Sequence, residues 1–168
     1  MTTTGIVRKI DELGRIVLPK ELRKYLNINT GDDFQITVND KKIILERYSR
    51  LYDYQQEILK IINCFSSVLN YKLYIVIKND ILGTDNKISD FISQKMQERK
   101  IYINENPSNI VINNEKIVNE KIIIYPIVLQ SDLLGCIIAI ANTETNKIIN
   151  IVKIIENIII KIVLKIEK

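Results

Sequence analysis

The chain has 168 residues, 46% of them hydrophobic and 7% aromatic, with 24 Lys/Arg against 20 Asp/Glu for a net charge of +4. This composition supports a packed core, excludes wholesale disorder, and fits one domain or two small ones. The absence of histidine excludes histidine-based triads, the commonest general base and most zinc sites.

The start, MTTTGIVRKIDE, breaks any apolar run within a few residues, so no signal peptide is expected and the chain reads as cytoplasmic. Residues 1–50 hold ten Lys/Arg against seven Asp/Glu, so the basic excess leans toward this end. TGIVRKID alternates Ile6, Arg8 and Ile10 against Val7, Lys9 and Asp11, a pattern that predicts a half-exposed strand. Asp11-Glu12-Leu13-Gly14 predicts a turn, with Gly14 free to take positive φ, and RIVLP a second strand ended by Pro19. Pro19 can open a helix over KELRKYLN, since its missing N–H would be unpaired there anyway. At 100° per residue, Lys20, Arg23, Lys24 and Asn27 share about one third of that helix, and Leu22, Tyr25 and Leu26 lie opposite. Two turns of helix do not stand alone, so the apolar side must dock and leave the basic side outward.

Asn29-Thr30-Gly31-Asp32 is expected to stop the helix, and FQITVNDKKIILERY to form a hairpin turning at Asn39-Asp40 with Phe34, Ile36 and Val38 on one face. Four short strands and a two-turn helix make a thin core, and pairing with a second copy is the natural remedy. A homodimer is expected. From Leu51 a helical spacing runs through Tyr54, Ile58, Ile61, Ile62, Phe65 and Leu69. A strand (YKLYIVI), a turn (NDILGTDN), a helix (KISDFISQKMQERK) and a strand (IYIN) follow, then a polar stretch around NENPSN. KIIIYPIVLQSDLLGCIIAIA predicts two antiparallel strands joined at Gln130-Ser131-Asp132. The last segment imitates a membrane span, yet Asn150, Lys153, Asn157, Lys161, Lys165 and Lys168 recur every three or four residues. They form one wet stripe on a helix otherwise buried in protein, and no membrane partner is expected.

Cys64 and Cys136 lie far apart in apolar sequence and read as core thiols in a reducing compartment, with a disulfide or redox pair as the other reading. Tyr71, Tyr74, Tyr102 and Tyr125 read as core and rim packing, with a ligand pocket as the other use. Asp80, Asp85 and Asp90 do not have calcium-loop spacing, and no phosphate-binding glycine loop is present. No cofactor, metal or enzymatic activity is expected.

TGIVRKIDELGRIVLPKELRKYLNI with GDDFQITVNDKKIILERY, residues 4–48, resembles the swapped-hairpin DNA-binding domain of the AbrB/SpoVT family of bacterial transcriptional regulators. Residues 50–168, most clearly YPIVLQSDLLGCIIAI, are similar to the GAF-like half of the sporulation regulators in that family. The resemblance implies an α+β chain, with a β-rich swapped-hairpin domain over 1–50 and a GAF-like domain flanked by helices over 51–168. It implies a cytoplasmic, nucleoid-associated protein that binds double-stranded promoter DNA, as a homodimer through the first domain and a homotetramer through the second. Matched position by position, it assigns DNA binding to Arg8, Lys9, Arg15, Arg23 and Lys24; Lys20 joins them from the helical wheel. Asp11 and Glu12 are expected to order the loop and to hold Arg15 or Lys9 in place. A small-molecule ligand for the GAF-like half stays open, since no cyclic-nucleotide, haem or bilin motif is visible. The alternative is an antitoxin of the MazE kind, which shares the N-terminal fold and binds a protein partner through its C-terminal part.

Overall fold

The computed structural model describes residues 5–26, 28, 30, 32–107 and 110–164. The chain divides into two compact units, Met1–Arg47 and Tyr48–Lys168. The first contains α1 (Lys20–Tyr25), β1 (Phe34–Asn39) and β2 (Lys42–Arg47). Pro19 stands at the N-cap of α1 with φ −56°, a value its ring imposes and the helix uses. β1 and β2 pair antiparallel, with Ile36 opposite Leu45 and Val38 opposite Ile43. This register puts the turn at Asp40-Lys41, with φ of 48° and 63°, one residue later than predicted. Two-residue hairpin loops of this kind need positive φ at both central positions, and Asn39 instead pairs with Lys42.

Two expected strands of this unit do not form. Residues 5–10 and 15–19 join no ladder, because alternation makes a strand only where another backbone lies alongside. The apolar side of α1 is not docked either: Tyr25 is 80% exposed and Leu26 is 49% exposed. Val7, Ile10, Val17, Ile36, Val38 and Ile43 are likewise open to solvent. Of the described residues up to Asp40, Pro19 alone is buried. α1 is also shorter than predicted, with Leu26 at its C-cap; Asn27, Asn29 and Gly31 lie outside the described residues.

The second unit opens with a 3₁₀ turn, Arg50–Tyr54, that feeds α2 (Gln55–Leu69). Buried Ser49 starts it, accepting from the Leu51 amide and donating to the Leu134 carbonyl at 2.8 Å. Asn70, with φ 55°, ends α2 in the left-handed conformation that asparagine tolerates. There follow β3 (Lys72–Ile77), β4 (Asp80–Ile81), α3 (Asp90–Gln97), β5 (Tyr102–Asn104), β6 (Ile110–Ile112), β7 (Glu115–Ile117), β8 (Lys121–Leu129), β9 (Asp132–Ala141) and α4 (Thr145–Leu164). Five strands form an antiparallel sheet in the order β4-β3-β9-β8-β5, and β6 pairs only with β7. The chain is thus α+β.

Strand alternation sorts side chains to the two sheet faces. Leu73, Ile75, Ile123, Ile127, Ile137 and Ala139 meet Ile58 and Ile62 of α2 and the buried side of α4. Val76, Ile122, Ile124, Cys136, Ile138 and Ile140 meet Ile92 and Met96 of α3 and Ile112 and Ile117 of the β6–β7 hairpin. In α4, Ile148, Val152, Ile155, Ile159 and Val163 are buried at helical spacing. Asn150, Lys153, Asn157 and Lys161 are exposed as one stripe, joined by Ile154; Lys165 and Lys168 lie outside the described residues. Among the described residues no helix is long and apolar enough to cross a membrane.

Two further expectations need correction. The β6–β7 hairpin, turning at Asn113-Asn114 with φ 51° and 64°, stands before β8 where the sequence predicts only a polar stretch. Cys136 is buried but Cys64 is exposed, because Ile58 and Ile62 face the core from α2 and Cys64 falls on the opposite side of that helix.

Candidate nucleic-acid interface

Between the two extended segments of the first unit the chain folds into a closed loop. The Asp11 amide donates to the Arg15 carbonyl at 3.0 Å, and the Gly14 amide to the Asp11 carbonyl at 2.9 Å. Gly14 has φ 75°, so the turn uses the freedom that glycine alone has at low cost. The Asp11 side chain completes the loop. Its Oδ1 accepts from the backbone N–H of Leu13 at 3.0 Å and of Arg15 at 2.8 Å, and its Oδ2 accepts from Arg15 Nε at 2.8 Å. Those bonds, first the Arg15 amide and then its guanidinium, hold the Asp11 carboxyl below the usual aspartate range. The Arg15 side chain remains 69% exposed. A surface pair of this kind adds little stability; its effect is on geometry.

Lys20, Arg23 and Lys24 are exposed on α1 and share one side of that helix. Arg8 and Lys9 are exposed on the extended segment before the loop. Among the described residues none of these five side chains pairs with a carboxylate. Asp11 pairs with Arg15 rather than with Lys9. The six cations therefore lie on three neighbouring stretches of backbone, offering donors and no acceptors. Guanidinium and ammonium groups so placed suit phosphate oxygens, and the arginine fork also fits O6 and N7 of guanine.

Tyr71 and Tyr125 pack with the α2–α4 side of the sheet, Tyr74 and Tyr102 with the α3 side, so the four tyrosines do not line one pocket. Tyr71 bonds Thr143 at 2.8 Å, and Tyr102 meets Phe91 edge to face at 5.5 Å. An open cleft of about 360 Å³ lies beside Tyr52, Gln55, Asp80, Leu82, Thr84 and Asp85. Among the described residues no cluster of His, Cys, Asp or Glu is arranged to hold a metal ion.

Comparison with known proteins covers both units. Residues 7–53 match the family described as antidote-toxin recognition MazE, bacterial antitoxin. Transition state regulatory protein AbrB of Bacillus subtilis is 58% identical over 48 residues, 29% of this chain and 50% of that protein. The solution structure of the N-domain of the transcription factor AbrB is 57% identical over 29% of this chain and 94% of its own. Its TM-score of 0.27 is too low for the superposition to bear on the fold. Stage V sporulation protein T of Bacillus subtilis is 32% identical over 160 residues, spanning 86% of this chain and 88% of that protein. A match of that identity and extent shows the family: the chain belongs to the AbrB/SpoVT family.

Proposed function

We propose that the chain is a transcriptional regulator that binds double-stranded promoter DNA through Arg8, Lys9, Arg15, Lys20, Arg23 and Lys24. In this reading residues 1–50 form the DNA-binding domain, as a homodimer of swapped hairpins. Residues 51–168 form a GAF-like domain that joins dimers into a homotetramer and has room for a small-molecule effector. No step of the proposed role calls for catalysis. The observation that carries the reading is the pairing, within the first unit, of six exposed cations with apolar surface that one chain leaves uncovered. A second copy supplies the missing neighbours for residues 5–10 and 15–19 and doubles the cations about a two-fold axis. The likeness of this stretch to a protein named a transition state regulatory protein supports the same reading.

The test is titration of labelled duplex DNA with the full chain at several salt concentrations, alongside sedimentation. Binding that weakens steeply with salt, by a species of at least two chains, is expected. A monomer that ignores duplex DNA in dilute buffer would refute the proposal.

The match of residues 7–53 to the antitoxin family favours a second reading, an antitoxin-like DNA-binding protein whose C-terminal half holds a protein partner. The two apolar cores of the second unit speak for a folded domain there rather than a tail. Recovery of a small toxin by residues 48–168 alone would establish the second reading.

A further inference from the structure

Asp11 places a negative charge within a stretch that exposes six cations, where plain electrostatics disfavours it for meeting a polyanion. Its bonding explains what it does there. A guanidinium has a side edge, which includes Nε, and an end edge of Nη1 and Nη2. Asp11 Oδ2 takes the Nε of Arg15. Among the described residues no protein acceptor bonds Nη1 or Nη2. The other carboxylate oxygen is held by the amides of Leu13 and Arg15, so the carboxylate cannot follow the arginine if that side chain swings. One edge of the guanidinium is anchored to the loop backbone through Asp11, and the other edge faces out with its hydrogen-bonding capacity unused.

Resting on the reading of this face as a DNA interface, we propose that Asp11 is a positioning residue for DNA binding, presenting the Nη1–Nη2 edge of Arg15 to phosphate or to a guanine edge. The gain is preorganisation: the side chain is oriented before the duplex arrives, and less freedom is lost on binding. A consequence follows in sign. By charge alone, removing a carboxylate from a polyanion-binding face strengthens binding. By positioning, it weakens binding, and only while Arg15 is present.

The experiment compares four full-length proteins on one duplex by fluorescence anisotropy: the parent chain, Asp11→Asn, Arg15→Ala, and the double variant. Asparagine keeps an oxygen for the amides of Leu13 and Arg15 but replaces the acceptor facing Nε by a donor. Circular dichroism and thermal melting of each variant report the fold separately from affinity. Asp11→Asn is expected to weaken binding about three- to tenfold, the scale of one oriented charge-assisted contact. In the Arg15→Ala background the same substitution is expected to leave affinity unchanged or to raise it. Equal weakening in both backgrounds would place the effect in the loop backbone and overturn the positioning role. So would an Asp11→Asn chain that binds as tightly as the parent while Arg15→Ala binds weakly, an outcome that leaves the interface itself standing. Parental affinity in Arg15→Ala would instead remove the interface reading, and the positioning role with it.

Discussion

At the scale of single residues, the cations of α1 and of the Asp11–Arg15 loop differ in how they are held. Arg15 is tethered through Nε, whereas Lys20, Arg23 and Lys24 depend on the helix backbone for their aim. Arg23→Ala is expected to weaken duplex binding by more than about 1 kcal/mol, the scale of one good bidentate contact, with the melting curve unchanged; titration and calorimetry check both. The loop should also survive acid well. The folded carboxyl of Asp11 lies below its ordinary value, so its contribution is present above pH about 4 and is lost as pH falls through the lowered value. Amide shifts of Leu13 and Arg15, followed down from neutral pH, should hold until that region. Cys136 behaves in the opposite sense. Burial pushes its thiol up to about 12, so the neutral form persists at pH 8, and any stability it confers fades only as pH rises beyond about 9. In a Cys64→Ser chain, Cys136 should resist a thiol reagent at pH 8 until denaturant is added. The loop was legible in the sequence because aspartate, glycine and arginine have distinct local roles. The partner of Asp11 was not, since Lys9 and Arg15 are both within reach until the turn closes.

At the scale of elements, β9 packs closely against its neighbour on the α2–α4 side. A Cβ built on Gly135 would lie 2.4 Å from the Val76 carbonyl oxygen and 3.2 Å from Leu51. Backbone on one side cannot yield as a flexible side chain can, so Gly135→Ala is expected to cost about 1–3 kcal/mol, the usual penalty for overpacking, in chemical denaturation. Ile155 offers the converse test. It is fully buried on α4, and Ile155→Ala should cost about 2–5 kcal/mol through lost burial and a cavity. The helix α4 and the long strands β8 and β9 were legible because apolar spacing at 3.6 or 2 residues leaves a strong mark over twenty or ten positions. The β6–β7 hairpin was not. Its strands have three residues each and its turn is Asn113-Asn114, so polar composition concealed the alternation that buries Ile112 and Ile117.

At the scale of the whole molecule, the two units differ in what holds them together. The second closes around two apolar cores. The first leaves Val7, Val17 and Val38 exposed by 89%, 73% and 74%. In the proposed dimer these valines are covered by the second chain, so Val17→Asp should separate the paired first units and abolish duplex binding. The second unit should then melt as in the parent chain, since it keeps its own interior; sedimentation and a two-step melt would report this. The sequence does not show where residues 5–19 stand for the same reason. Their pattern describes strands, and a pattern read along one chain does not say which molecule supplies the neighbour.

Proline in the interior of a sheet strand calls for a reason, and Pro126 stands in β8 opposite Cys136 of β9. The other neighbour of β8, the short β5, covers only Ile122–Ile124. Beyond that point β5 does not pair with β8, and proline brings no N–H for a further strand to use. A stray peptide that tried to zip onto this rim would find a missing tooth in the row. In a chain rich in isoleucine, that gap counts against strand-to-strand pairing along this part of β8.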